Sequence, residues 1–472
     1  MSTTQKLKNS TLFYYALADM PVMMSIFPVI VFIPRFYASD VGVPLALVGT
    51  FILITRIIDV FTDPLMGYVS DHTRSRFGRR KPWVFLAMPI MMVAIYHLFM
   101  PPETAGGFYM FVWMTVLGLG TTMMLIPYYA WGAELTTDYY DRSRVTGFRA
   151  GAGVVGQLTA QLVPAIALLV WGIGGSATVL ELVGITMLLI MPICVTLTVW
   201  KTPEPEHAIR SVVPLMAGLK VMVTNGPFLR LVVAFMIGQI GLNITTPLYI
   251  FFVADVLGAE DQSILMLSLF YITNLSSIPF WVWLAGKIGK HRAYIGAFLL
   301  IACAHPFYML LGPGDFWWMA PVTIATGFAA GGFSQVLPNS MKADVIDLDT
   351  LRSGENRAGL FFSAWSFAQK ATASIGASIA MFGLAWWGFN AEPGAVNGSE
   401  ELFGLRFLFS TFPSLFFISG ALMVWNYSIT ADKHAEIRAA LDAGQGPSAD
   451  AASATAADSA ASASAGATNT SA

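Results

Sequence analysis

The stretch RIIDVFTDPLMGYVSDHTRSRFGRRKPW, Arg56 to Trp83, sets Asp59 and Asp63 inside an apolar helical run and follows them at once with a cluster of basic residues. A charged side chain near the centre of a bilayer costs roughly 2.5–3.5 kcal/mol on insertion scales, so carboxylates at that depth point to function unless a partner neutralises them. Four residues apart, Asp59 and Asp63 share one helix face, with side chains about 5–6 Å apart. Two carboxylates that close in a low dielectric need a bound cation or a shared proton. Arg56 offers a structural alternative, an internal ion pair, although one arginine against two carboxylates leaves a net negative charge. His72, Arg74, Arg76, Arg79, Arg80 and Lys81 mark one side of a membrane.

Composition agrees. The 472 residues are 56% hydrophobic and only 11% charged, with mean hydropathy +0.65, which is an integral membrane protein rather than a soluble one. The net charge of −2 argues against nucleic acid as a partner. Cys194 and Cys303 suit neither a disulfide framework nor a metal site and read as inert packing residues.

A hydrocarbon core takes on the order of 20 helical residues to cross. About twelve segments are long enough: near 11–38, 45–71, 83–100, 107–134, 146–172, 178–200, 227–256, 262–286, 292–312, 316–340, 357–388 and 403–430. The loops after the even spans carry the lysines and arginines, including Lys287, Lys290, Lys342, Arg352 and Arg357, whereas the opposite loops carry none. That asymmetry makes the basic loops and both termini cytoplasmic. The expected organisation is all-α: a six-helix bundle over 1–200, a cytoplasmic connector over 201–226, a second six-helix bundle over 227–430, and a tail over 431–472, disordered and Ala/Ser-rich from about 442. Two bundles around a midplane site are the architecture of an alternating-access transporter.

The intramembrane polar inventory is short. Asp19 lies about a third of the way along the first span, and the buried bases that match the carboxylates are Arg149 in the fifth span and Lys370 in the eleventh. Small residues around both bases predict close helix approach and a lined cavity. The fourth span adds Thr122, Tyr128, Tyr129 and Trp131; aromatic rings there suit stacking on a sugar face or plain packing. Asn243, Tyr249 and Asn274 are weaker candidates, and Glu134 is expected to pair with loop arginines.

Together these residues resemble the glycoside–pentoside–hexuronide:cation symporters, the melibiose-permease-like branch of the major facilitator superfamily. The R-x-x-D-x-x-x-D-P-x-x-G stretch with its basic loop ending in K-P-W, Asp19, Arg149, Lys370 within FSAWSFAQK, and the connector MKADVIDLDTLRSGENRAGLFFSAWSF carry the resemblance, over roughly residues 8–430. It implies cation-coupled sugar uptake through twelve helices of the major facilitator fold. Asp59, Asp63 and Thr122 are then the cation ligands, the two aspartates holding metal only if the ion is Na⁺. Asp19, Tyr129, Arg149, Ser366 and Lys370 hold the substrate, and Arg74, Arg79, Arg80 and Lys81 form the cytoplasmic gate or topology marker. Two positions depart from the pattern: Leu125 stands where the family has an aspartate, and Tyr129 where it has a tryptophan. Losing a carboxylate weakens an Na⁺ site, which wants several oxygens, more than a proton site.

The expected partners are a small sugar or glycoside, H⁺ or Na⁺ as coupling ion, and the bilayer of the cell membrane, with the chain acting as a monomer without a cofactor. Alternatives are transport of a non-sugar solute such as a lysolipid, which a wide apolar opening between helices would favour, and a non-transporting sensor or channel. No nucleophile–base pair, phosphate loop or ligand cluster suggests an enzyme.

Overall fold

Proline shapes the first apolar segment. A proline ring clashes with the carbonyl four residues back, and the chain breaks near Leu17 and again at Phe32, ahead of or around Pro21 and Pro34. One span thus becomes three pieces, α1 (Asn9–Ala16), α2 (Asp19–Val31) and α3 (Ile33–Ser39). The computed structural model describes residues 7–136, 139–204, 225–354, 357–392 and 395–443. Most of the expected connector and the Ala/Ser-rich tail from 444 lie outside the described residues.

The regular structure among the described residues is helical. After α3 come α4 (Leu45–His72), α5 (Lys81–Phe99), α6 (Gly107–Glu134), α7 (Tyr139–Trp171) and α8 (Ser176–Lys201). The second half holds α9 (Gly226–Phe251), α10 (Ser263–Ser276), α11 (Ile278–Ile288), α12 (Lys290–Ala304), α13 (Met319–Ala330), α14 (Leu337–Ser353), α15 (Ala358–Trp386), α16 (Ser399–Phe409), α17 (Thr411–Val424) and α18 (Ala431–Asp442). Ten helical stretches among the described residues are long and apolar enough to cross a membrane. The stretches of α13–α14 and of α15 are not among them.

Glycine positions the helix pair that matters most. A Cβ on Gly156 would lie 2.0 Å from the Met20 carbonyl oxygen, so α7 rests directly on the α2 backbone. Arg149, Gly153 and Gly156 fall on one face of α7 at helical spacing, which turns Arg149 toward the Asp19 end of α2.

The two halves meet unequally. Apolar packing runs continuously from α2–α8 into Ile244–Leu267 and Ala377–Leu408 of the second half, whereas a separate core, including Phe228, Phe235, Phe298, Leu337 and Trp365, belongs to the second half alone. At the Gly49 level α4 and α15 touch, with the Ser378 hydroxyl donating to the Gly49 carbonyl at 3.2 Å. Toward the basic loops they diverge, and an opening of about 550 Å³ lies between them.

Two expectations change, and the start of the tail gains a structure. The charged stretch Asn339–Arg357 is largely helix, and its Lys342, Asp344 and Asp349 are buried rather than solvated in a loop. Residues 431–442 are a helix docked on α14, with Ile437 buried and the His434 ring nitrogen 3.2 Å from Asp347, because an amphipathic segment can bury one face where an Ala/Ser tract cannot. Cys194 is buried as expected, but Cys303 is exposed on its helix surface.

Candidate functional site

Helices α4 and α6 lie side by side, and their i, i+4 pairs face each other. Opposite Asp59 is Gly118, whose missing side chain leaves room for the Asp59 carboxylate: a Cβ there would sit 3.2 Å from Oδ1. Opposite Asp63 is Thr122, whose hydroxyl donates to Asp63 Oδ1 at 2.8 Å. Asp59 is buried and takes the Arg56 guanidinium at 2.8 Å on Oδ2. Asp63 is partly open to a cavity and takes the Lys370 ammonium, from α15, on its own Oδ2.

Each carboxylate therefore holds a base, and the pair is neutral as built. Arg56 does not bind both aspartates. Lys370, expected in the substrate group, stands in the Asp59–Asp63–Thr122 group and joins the two halves of the chain. Among the described residues no group of three or more His, Cys, Asp or Glu side chains is placed to hold a metal ion, so an Na⁺ ion here would draw on two carboxylates, a hydroxyl and further oxygens.

The second group lies nearer the basic loops. The Arg149 guanidinium stacks over the Tyr129 ring at 4.0 Å, and the Tyr129 hydroxyl lies between Arg149 and Asp19. Asp19 is buried, and among the described residues its Oδ1 accepts no hydrogen bond. An unsatisfied buried carboxylate oxygen beside a guanidinium and a half-exposed ring is a donor–acceptor set for a hydroxylated ligand. Tyr15 and Tyr128 stack behind it with centroids 4.5 Å apart and exchange hydrogen bonds with each other's carbonyls, so they are packing that fixes Tyr129. Tyr15, Tyr129, Arg149 and Ser366 line a cavity of about 820 Å³ that reaches the basic end. Leu125 is partly buried against the core, between Thr122 and Tyr129 on α6.

The basic loop is stapled to its own half. Arg80, buried, donates to Glu134 at 2.9 Å and Ser70 at 2.7 Å and pairs with Asp71; Arg79 reaches Glu134 at 2.5 Å. Glu204 accepts from the backbone N–H of Arg80 at 2.6 Å and of Arg79. Lys81 sits 5.7 Å over Trp131, and Arg74 is exposed.

Sequence reasoning missed the closure at the other end. Arg35 of α3 donates to Asp255, just past α9, at 2.5 Å and lies 3.7 Å from Glu260, which accepts from the Ser176 hydroxyl at 2.5 Å. The available signal was one arginine, in FIPRFYAS, at the end of an apolar run whose other charge is Asp19. A second chamber of about 310 Å³, lined by Gln157, Asn243, Tyr249, Asn274, Gln335 and Gln369 among others, lies between this closure and the Asp19 group.

A helical bundle pair with charged groups gathered at its seam is the class of a membrane transporter of the major facilitator type. The fold matches that of a bacterial homolog of the human lysosomal transporter Spinster, solved in an inward-facing, unoccupied conformation, with TM-score 0.66 and 13% identity over 88% of this chain and 96% of that one. Residues 14–431 match the MFS/sugar transport protein family, and the chain belongs to it. Its members are transporters, not enzymes. It is 24% identical to the glucuronide carrier protein homolog of Escherichia coli, covering 93% of this chain and 96% of that one. It is also 24% identical to the sodium-dependent lysophosphatidylcholine symporter 1 of Mus musculus, covering 87% and 84%.

Proposed function

We propose that the protein is a cation-coupled symporter of a glycoside or related small sugar, working by alternating access in the cell membrane. In this reading α13–α14 and α15 complete twelve spans, bundles over 1–200 and 227–430 are joined by the 201–226 connector, and both termini and the basic loops are cytoplasmic. The observation that carries it is the Lys370–Asp63 bridge between the halves, backed by Thr122. A cation, H⁺ or Na⁺, arriving at Asp63 competes with the Lys370 ammonium. Displaced, Lys370 swings toward the cavity with Ser366, Tyr129, Arg149 and Asp19, where it meets the substrate. Leu125 leaves no carboxylate between the two groups, so coupling runs through Lys370, and the few oxygens at Asp59, Asp63 and Thr122 favour a proton over Na⁺.

Uptake into vesicles with imposed pH or Na⁺ gradients and a panel of labelled glycosides tests this. Asp59→Asn and Asp63→Asn should each abolish gradient-driven accumulation while leaving exchange measurable, since a lost charge-assisted contact of about 1.5–3 kcal/mol is ~10- to 100-fold in cation affinity. Undiminished accumulation by both variants would sink the assignment.

A second reading is favoured by the opening between α4 and α15. It is walled by Leu53, Ile57, Val60 and Ile375 with Arg56 and Lys370 at its inner edge, a shape suited to an amphiphile entering sideways. Competition of the same uptake by lysolipids but not by glycosides would select it.

A further inference from the structure

Lys342 of α14 is buried to 5% exposure without a carboxylate. The carboxylates of its own helix are committed elsewhere: Asp344 to Lys290 at 2.6 Å and Asp349 to Arg357 at 2.7 Å, while Asp347 faces His434 and Arg438. Among the described residues none lies within ion-pair distance of Lys342. Its ammonium has three hydrogens to donate, and one finds Asn339 Oδ1 at 2.9 Å. The rings of Phe362 and Trp365 cover it at 4.5 and 4.8 Å. Cation–π contacts offset only part of the cost of burying an ammonium, and an anion docked beside it would offset the rest.

Charge along the seam makes the same point. Arg56 faces Asp59, Lys370 faces Asp63 and Arg149 faces Asp19, so among the described residues Lys342 is the lysine or arginine buried at the seam without a carboxylate. Its place is also on the route. Lys342, Asn339, Gln335 and Gln369 line a pocket of about 200 Å³ that shares Ser334, Gln335 and Gln369 with the 310 Å³ chamber and Phe362 and Ser366 with the 820 Å³ cavity.

We propose that Lys342, with the amides of Asn339, Gln335 and Gln369, forms an oxyanion-binding subsite between the chamber and the basic-end cavity, and that the transported substrate carries a carboxylate or phosphate that docks there. This rests on the transport reading for the route and adds the charge of the cargo. An oxyanion accepts the two unspent ammonium hydrogens and the amide N–H groups, and the surrounding hydroxyls and amides accommodate an attached polyhydroxyl body.

Full-length protein in lipid nanodiscs, titrated at constant ionic strength with methyl glucoside, methyl glucuronide and lysophosphatidic acid, tests the subsite. Wild type should bind one of the two anions at least about tenfold more tightly than the neutral glycoside, as a charge-assisted contact gives. The glucuronide gaining assigns a sugar carboxylate, lysophosphatidic acid a lipid phosphate. Lys342→Met should bring the ratio close to one and Lys342→Arg should keep most of it. Phe362→Glu, at an exposed position over the ammonium, supplies an internal anion and should also remove the preference without emptying the core. An unchanged ratio in Lys342→Met and Phe362→Glu, or no anion preference in wild type, overturns the proposal. Gradient-driven uptake is scored separately, so its absence beside a Lys342-dependent preference would refute the transport reading alone.

Discussion

The two ends of the seam between the halves are built on opposite rules. At the end away from the basic loops, charge crosses the seam: Arg35 of the first half binds Asp255 and Glu260 of the second, its guanidinium lies 4.9 Å over Phe251, and Glu260 reaches back to Ser176. The apolar core is continuous there. At the basic end each half satisfies its own charges, Arg79 and Arg80 with Glu134 on one side, Lys290 and Arg357 with Asp344 and Asp349 on the other, and open cavities separate them. Opening the first end breaks buried ion pairs and exposes apolar surface. Closing the second end breaks none of these contacts. The difference places the electrostatic barrier to rocking on one side of the substrate path, with Lys370–Asp63 as the charge contact between them.

The largest effect should come from Arg35→Ala. Removing one partner of a fully buried pair costs about 3–5 kcal/mol; Asp255 is partly exposed, so about 1–3 kcal/mol is expected, a roughly 5- to 150-fold shift toward an open far end. Distances between spin labels on either side of that end would report it, and an unchanged distribution would remove the barrier from that end. Arg80→Ala should differ in kind. It strips a base from buried Glu134 and lowers stability by about 1–3 kcal/mol in thermal unfolding, yet it leaves the open and closed populations of the same labels unmoved, because the pair lies within one half. A population shift as large as that of Arg35→Ala would erase the contrast.

The smallest effect is a pH dependence at Asp40, in the loop beyond α3. Burial pushes its carboxyl above the usual carboxylate range, Glu260 adds to the rise and Arg35 opposes it. A carboxyl whose pKa is raised in the closed state binds its proton more readily there, so closure of the far end strengthens as pH falls through that raised value and the gain is absent at higher pH. A change below about fivefold in the open-to-closed population ratio read from the same labels is expected, and Asp40→Asn should flatten it. Persistence of the profile in that variant would remove Asp40 as its source.

The class and the candidate site residues were legible in the sequence because bilayer physics makes them so. A carboxylate or base in an apolar run is costly whatever its neighbours, and that alone singles out Asp19, Asp59, Asp63, Arg149 and Lys370. Glycine spacing around Arg149 likewise foretold the close approach that Gly156 makes to Met20. Partnership was not legible. Lys370 is 307 positions from Asp63, and no local pattern says that it binds this aspartate rather than Asp19. Lys342 read as a loop base because its neighbours Asp344, Asp347 and Asp349 lend the stretch a solvated composition. Its burial follows from Trp365 and Phe362 on α15, which only the fold brings over it.

By itself the sequence determined that the chain crosses a membrane as apolar helices, where the basic loops fall, and that Asp19, Asp59, Asp63, Arg149 and Lys370 stand inside apolar runs, since each follows from the cost of moving a residue type from water into hydrocarbon. Tertiary structure decided which charge neutralises which, that Asp59 and Asp63 each hold a base, that one end of the seam is latched and the other open, and that one lysine is left over. Those depend on distances between helices remote in sequence, and electrostatic energy in a low dielectric depends steeply on them.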